Sequence, residues 1–432
     1  MKILYSDQAG FGEEFEKILK RSDMDMEKVT PIVLQIIEEI KAKGDEAVME
    51  HIAKFDGWQP KSADDLAIDP KAMERAYQAL DPKLKEALHL AYDRIEAYHK
   101  KQMPKSWIDF ERNGTILGQK VTPVERAGLY IPGGKAAYPS SLLMNAIPAL
   151  VAGVEEIVVT TPTPDNEPNE LLLAACHLCG IEKVYKVGGA SAIAALAYGT
   201  QTIPKVDVIT GPGNIFVATA KKLVYGEVNI DMIAGPSEIG ILADESADPT
   251  LVAIDLLSQA EHDEMASSIL ITPDENVAKK SAEEVERLLQ SLERQRIARK
   301  SIEERGAVIV TKCMSEAVEL MNRIAPEHLE VMTANPFELL PSIKNAGAIF
   351  LGAYTPEPIG DYIAGPNHTL PTGGTARFYS PLSVEHFLKK SSLISFSKQA
   401  LRDIGGAAAL LAHTEGLEAH AKSIEMRLDR KL

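Results

Sequence analysis

Residues 230–263 read IDMIAGPSEIGILADESADPTLVAIDLLSQAEHD. A tight turn, AGPSE, runs into an apolar stretch, Ile239–Ala243, and a helical pattern then opens near Asp248–Pro249 and closes on Gln259 and His262. This is one strand–helix unit with unusual polar groups around it. Two other stretches look built to meet it: NRIAPEHLE at 322–330 and GDYIAGPNHTLP at 360–371.

Working outward, strands and helices alternate on both sides of this unit. Upstream, GLYIPGG at 128–134 is a strand entering a Pro-Gly-Gly turn. It is followed by a helix at about 140–151, VEEIVVTTP, a helix at 169–179, IEKVYKVGG, a helix at 190–198, VDVITGPGN and a helix at 215–224. Short apolar runs with helices between them predict a parallel sheet covered on both faces, so 128–236 reads as one doubly wound α/β domain. Downstream, SSILITP, a long charged helix at 274–299, AVIVT, a helix at 314–324, LEVMT, a helix at 336–342 and AGAIFLG predict a second unit of the same style.

The N-terminal region is predicted to be helical. Phe11, Phe15, Ile18 and Leu19 share one face of a short helix over 11–26. Thr30–Pro31 predicts a helix start, with Ile32, Val33, Ile36, Ile37 and Ile40 on the buried side and Gly44 as the stop. A helix over 45–55 follows, and Asp69–Pro70 opens a helical tract to about His99. WIDFERNGTILGQKV at 107–121 reads as a hairpin turning at Asn113–Gly114. This hairpin and the 70–100 tract are expected to pack with the second α/β unit. Residues 384–432 are mostly helical apart from LISFS at 393–397, and are too few to form a core of their own.

Composition bounds the function. A chain of 432 residues exceeds one ordinary core, and 45% apolar with 25% charged residues is a normal globular balance. A net charge of −16 argues against nonspecific binding to nucleic acid or anionic membrane. No bilayer-length apolar run and no signal-like start is evident, so the cytoplasm is the expected location. Three cysteines argue against a disulfide scaffold, and the Cys176–Cys179 pair reads as small core residues in preference to a redox or metal pair.

Several groups can carry chemistry. Glycine turns follow predicted strands at Gly133–Gly134, Gly188–Gly189 and Gly211–Asn214, where backbone amides suit phosphates, yet neither GxGxxG nor GxxxxGK[ST] occurs. Gln259 and His262, three apart, share a helix face, as metal ligands or as an end cap. Asp361 and His368 flank the IAGPN turn. Glu327–His328 places an acid beside an imidazole at a strand start, either proton-transfer partners or a solvated edge.

Taken together, AGPSE with DLLSQAEHD, GPGNIFVATAK at 211–221, RIAPEHLE at 323–330 and AGPNHTLPTGGTARFYSPLSV at 364–384 make the chain resemble the histidinol dehydrogenase family along nearly its whole length. The resemblance implies zinc-dependent oxidation of L-histidinol to L-histidine through bound L-histidinal, with reduction of two NAD⁺, in the last steps of histidine biosynthesis. It implies a homodimer of intertwined subunits built on two incomplete Rossmann-like doubly wound domains with helical N-terminal and C-terminal extensions. The expected division is 1–27 as an N-terminal helical extension, 28–127 with 237–383 as one domain, 128–236 as the cofactor-side domain, and 384–432 as a tail reaching the partner subunit.

By motif, the implied zinc ligands are Gln259, His262, Asp361 and His420, with His420 crossing from the other subunit. His328 is the implied general base and Glu327 activates water; Ser237, His368 and Glu415 line the substrate site together with these groups. Tyr130 and Asn214 match the family's cofactor contacts. A third contact in the family is the glutamine of GGAQA; here GGASA puts Ser191 there, so one NAD hydrogen bond is expected to be lost or passed through water. Two rivals stand beside this: a metal-dependent dehydrogenase of another amino alcohol or polyol, and a nonenzymatic metal-binding descendant. The second is disfavoured because Asp361, His262, His328 and His420 are all present.

Overall fold

The computed structural model describes residues 1–21, 26–133 and 138–429, so Gly134 of the first glycine turn lies outside the described residues. Cα packing divides the chain into two units. One comprises 1–102 and 125–387; the other comprises 103–124 and the chain from Leu388 onward.

In chain order, β1 (Lys2–Tyr5) comes first, and β2 (Trp107–Phe110) and β3 (Ile116–Pro123) form the predicted hairpin. Then β4 (Arg126–Tyr130), β5 (Glu156–Thr160), β6 (Lys183–Tyr185), β7 (Val208–Thr210) and β8 (Asn229–Ile230) form one parallel sheet, ordered β6-β5-β4-β7-β8. Its strands are short and buried on both faces, which their near-continuous apolar runs require. Side chains of Asn169 and Asn214 cap the helices Glu170–Leu178 and Ile215–Val224. The strand order reverses between β4 and β7. That opens a crevice at their carboxyl ends, the place where doubly wound sheets take ligands.

Gly211 holds that edge. Its φ is +119°, and a Cβ there would overlap the Tyr130 carbonyl. A buried ion pair, Lys221 with Asp231, grips its peptide from both sides. The Gly211 N–H donates to Asp231 Oδ2 at 2.8 Å and its carbonyl accepts from Lys221 Nζ at 2.9 Å.

The second parallel sheet holds β9 (Glu238–Ala243), β10 (Ser267–Thr272), β11 (Ala307–Val310), β12 (His328–Met332) and β13 (Ala348–Leu351), ordered β1-β11-β10-β9-β12-β13. Here the crevice at the carboxyl ends is stitched shut: Asp244 Oδ2 accepts the Ala334 N–H at 2.9 Å. The functional groups collect at the opposite, amino edge. In register, His328 pairs with Ile239 on one side and Ala348 on the other.

Both predicted sheets are present, and several expectations are corrected. The N-terminal segment is not purely helical, because Lys2–Tyr5 adds a parallel edge strand beside β11. Helix Met26–Lys43 starts before Thr30–Pro31 and carries Pro31 inside it, with the Thr30 hydroxyl donating to the Met26 carbonyl. Ile32 is 49% exposed, while Val33, Ile36, Ile37 and Ile40 are buried. The 70–99 tract is two helices, Pro70–Gln78 and Pro82–Lys100, since Asp81–Pro82 repeats the Asp69–Pro70 start signal. These two helices lie against the helices Glu170–Leu178 and Pro139–Ala152 of the five-stranded side, and the second also meets the second α/β unit, where Arg94 donates to the Ile363 and Ala364 carbonyls at 2.6 and 3.2 Å. The 274–299 helix is likewise two, Glu275–Leu289 and Gln295–Arg305, which turns Leu289 and Ile302 into one core. The hairpin pairs along β3 with β14 (Leu388–Ser395) in an antiparallel three-stranded sheet, so residues 103–124 belong with the tail rather than with 28–102. Helices Lys398–Thr414 and Glu418–Asp429 complete that unit.

Gly211→Ala is expected to destabilise the folded chain by about 1–3 kcal/mol through backbone strain alone, read as a lowered urea midpoint with an unchanged slope; an unchanged midpoint contradicts the account of this edge.

Candidate active site

The site is built on the backbone of Glu238, where AGPSE enters β9. Its N–H donates to Glu327 Oε2 at 2.9 Å, and its carbonyl accepts from His328 Nδ1 at 3.0 Å. One residue thus orients both the acid and the imidazole at the start of β12. The Glu238 side chain is 1% exposed; Oε2 meets Arg21 at 2.7 Å and Oε1 accepts the Gly373 N–H at 3.0 Å. Arg21, also buried, donates further to the Ile324 carbonyl at 3.0 Å.

Because Nδ1 donates to a carbonyl, the neutral His328 ring carries its lone pair on Nε2. That nitrogen is buried without a hydrogen-bond partner. It faces Glu357 Oε1 at 3.5 Å and Asp361 Oδ1 at 3.9 Å. Burial lowers the His328 pKa, opposed by the nearby Asp361 charge. Burial also raises the Glu327 carboxyl well above the ordinary carboxylate range, against the Glu238 N–H bond.

Acids crowd around this imidazole. Burial, followed by the charge of Asp361, pushes Glu357 up to about 10. Beneath it, Glu330 Oε1 accepts the Glu357 N–H at 2.6 Å, and burial raises Glu330 strongly and Asp255 to about 6. Among the described residues no cation is bonded to Asp255, Glu330 or Glu357, and such a group of buried carboxyls suits a metal. Ligand atoms of His328, Glu357 and Asp361 lie within 4.8 Å of one another. Both Glu357 oxygens and the Gln259 Oε1 are buried and unpartnered, the arrangement an O/N-coordinated divalent ion would satisfy. Gln259 is in the last turn of helix Pro249–Ala260, whose negative end favours a cation, and exposed His262 follows just beyond the helix, close enough for its charge to act on His328.

A cavity of about 640 Å³ opens onto His328, Asp361 and His368. The Asp361 carbonyl accepts from His368 Nδ1 at 2.9 Å. Ser237, half-buried, sits immediately before Glu238 in the entering loop. A more spacious groove of about 930 Å³, lined by Leu19, Met314, Arg323 and Arg377, contains none of these acids and imidazoles. The five-stranded sheet has its own cleft of about 570 Å³ at the carboxyl-edge crevice, lined by Tyr130, Gly188, Gly189, Ser191 and Asn214. A Cβ at Gly133 or Gly188 would strike Pro162, so both turns need glycine to pack against that proline beside the cleft. Tyr130 is buried rather than free to stack; its hydroxyl accepts the Gly189 N–H at 3.3 Å, and burial pushes its pKa up to about 12.

The remaining implied residues, Glu415 and His420, lie in the second unit, both exposed. Arg21, Asp255, Glu330 and Glu357 are the groups that reading the sequence missed. Asp255 alone left a signal, as a lone acid within LVAIDLL.

A parallel α/β protein with a metal-competent acid–imidazole cluster on one sheet edge and a glycine-lined cleft at the switch point of another has the makings, as a class, of a metal-assisted dehydrogenase. The histidinol dehydrogenase family model matches residues 19–428. The chain is 68% identical over 428 residues to the histidinol dehydrogenase of Wolinella succinogenes, covering 99% of both chains. It is 61% identical over 429 residues to that of Helicobacter hepaticus, covering 99% of this chain and 98% of the relative. The crystal structure of histidinol dehydrogenase from Elizabethkingia anophelis superposes with a TM-score of 0.93 at 35% identity, covering 99% of this chain and 98% of that one. The chain belongs to the histidinol dehydrogenase family, and as a member it is an NAD-dependent oxidoreductase of histidine biosynthesis.

Arg21→Met strands the buried Glu238 carboxylate and is expected to cost about 3–5 kcal/mol of stability in urea unfolding; a loss below about 1 kcal/mol would mean the pair does not anchor the site.

Proposed function

We propose that the chain oxidises L-histidinol to L-histidine in two steps without releasing L-histidinal, and that each active site is completed by the tail of a partner subunit. The observation that carries this is the buried, unpartnered His328 Nε2, aimed past Glu357 and Asp361 at the edge of a cavity.

Gln259, His262 and Asp361 would hold the zinc ion with His420 of the partner subunit, and Glu357 stands beside them. Bound zinc supplies a fixed positive charge that holds the substrate through its amino and imidazole groups. Bound NAD⁺ in the Tyr130–Ser191–Asn214 cleft supplies the hydride acceptor, once for each oxidation.

His328 takes the substrate hydroxyl proton on Nε2. Its other nitrogen is fixed to the Glu238 carbonyl, so the ring meets the substrate in one orientation and one tautomer. Burial lowers its pKa, which favours the neutral ring with a free lone pair on Nε2. Glu327, as the carboxylate, takes a proton from the water that adds to the aldehyde, while His328 returns its proton to the aldehyde oxygen and then takes the hydrate's hydroxyl proton as the second hydride leaves for NAD⁺. Glu238 holds Glu327 Oε2, leaving Oε1 to meet the water. His368, Ser237 and the partner's Glu415 orient the substrate. Holding the aldehyde between steps protects a reactive intermediate, and exchange of one nicotinamide for another then favours loose dinucleotide binding. We infer that this happens in the cytoplasm; no described helix is long and apolar enough to cross a membrane.

Mixing two inactive variants tests the roles and the shared site together. His328→Ala alone should lower kcat about 100- to 10,000-fold while retaining metal; unaltered turnover removes its role as base. His420→Ala alone should lose metal. After subunit exchange, a heterodimer of the two has one site with both residues intact and one with neither. Activity should therefore return; verified heterodimers without activity would show that the tail does not serve the partner.

A further inference from the structure

Ser191 is not a gap in the cofactor cleft but the end of a buried polar chain. Ser191 Oγ lies 2.9 Å from His51 Nδ1, and His51 Nε2 lies 2.7 Å from Glu39 Oε2. The three residues stand on three different helices: Glu39 on Met26–Lys43, His51 on Asp45–Phe55, and Ser191 in the first turn of Gly189–Tyr198. Ser191 and His51 are 3% and 5% exposed, and both line the 570 Å³ cleft beside Tyr130 and Asn214.

Polarity along this chain is determined from its outer end. The Gln35 amide, and after it His51, hold the Glu39 carboxyl below its usual range, so Glu39 accepts and His51 Nε2 donates. In the tautomer that carries its proton on Nε2, Nδ1 has only a lone pair and accepts the Ser191 O–H across the 2.9 Å contact. With its proton committed, Ser191 Oγ can offer only lone pairs to the cleft. Tyr130 is set the opposite way: its oxygen takes the Gly189 N–H, leaving its own proton to donate. The wall therefore presents an acceptor and a donor of determined sense near the amino end of a helix, where backbone amides favour phosphate.

We propose that Glu39, His51 and Ser191 form a cofactor-binding relay in which His51 fixes Ser191 as a hydrogen-bond acceptor for a donor group of the dinucleotide. Glu39 and His51 are positioning residues, and Ser191 makes the contact. Ser191 would then keep a direct contact where the sequence led us to expect a hydrogen bond lost or passed through water. It rests on the reading of this cleft as the NAD site.

The test is the Kd for NAD⁺, by calorimetry on the zinc-loaded full-length protein, for wild type, Ser191→Ala, His51→Ala and the double variant. Melting curves and metal content confirm that each is folded and loaded. Each single variant should weaken NAD⁺ binding about tenfold, the effect of one hydrogen bond, with the Kd for L-histidinol unchanged. The double variant should be no weaker than the weaker single, because both remove one contact. Should wild type bind NAD⁺ while Ser191→Ala stays within about twofold of it, the relay is refuted. Independent, additive losses would refute the fixing of Ser191 by His51. A wild-type protein that oxidises histidinol yet keeps its NAD⁺ affinity when Asn214 and Tyr130 are replaced would instead overturn the cleft assignment itself.

Discussion

The residue on which the site depends is Glu238, and what it depends on in turn is a buried ion pair. Arg21 and the Gly373 amide hold its carboxylate; its own peptide groups then hold Glu327 and His328. Taking two charges out of water is costly unless each finds full partnership, and here Arg21 also bonds the Ile324 carbonyl at the end of the helix preceding β12. The N-terminal segment, the first strand of the second sheet and the strand bearing the imidazole are therefore tied at one point. Removing either charged partner leaves a buried charge uncompensated, directly behind Glu327 and His328.

The two parallel sheets share a strand logic and use opposite edges. In the five-stranded sheet the carboxyl-edge crevice is open and lined by Tyr130, Gly188, Gly189, Ser191 and Asn214. In the six-stranded sheet that crevice is closed by Asp244, and the amino edge carries the chemistry instead. Concentrating Asp255, Glu330, Glu357 and Asp361 around His328 is electrostatically unfavourable in the absence of a cation. Burial is the main reason the proton affinities of Asp255, Glu330 and Glu357 are raised, with neighbouring carboxylates adding to it for Glu330 and Glu357, and a divalent ion would relieve that crowding.

Much of this could be read from sequence because the signals are local. Apolar runs bounded by turns located β4–β7 and β9–β13, Asp-Pro pairs marked helix starts, and Asn113–Gly114 marked the hairpin. Where a local signal had a competitor it misled: Thr30–Pro31 resembles a start, yet a helix already begun at Met26 accommodates it. Nonlocal pairing was out of reach. Nothing in KILY says that it will lie beside β11, and nothing in the hairpin names β14 as its partner. Glu327 and His328 stood out as neighbours in a quoted motif, and Asp361 through its loop. Glu330, Glu357 and Arg21 did not, because a charged residue is surface by default until the fold shows what encloses it. The Glu39–His51–Ser191 chain joins residues up to 152 positions apart (191 − 39) and could be seen only in three dimensions.

The most direct test of the whole account is the number of NADH molecules formed per L-histidinol consumed by zinc-loaded protein, with a chelated sample beside it. The account predicts two, with histidine as the product, abolished by chelation and restored by zinc. One NADH with free aldehyde, or turnover indifferent to chelation, would contradict it.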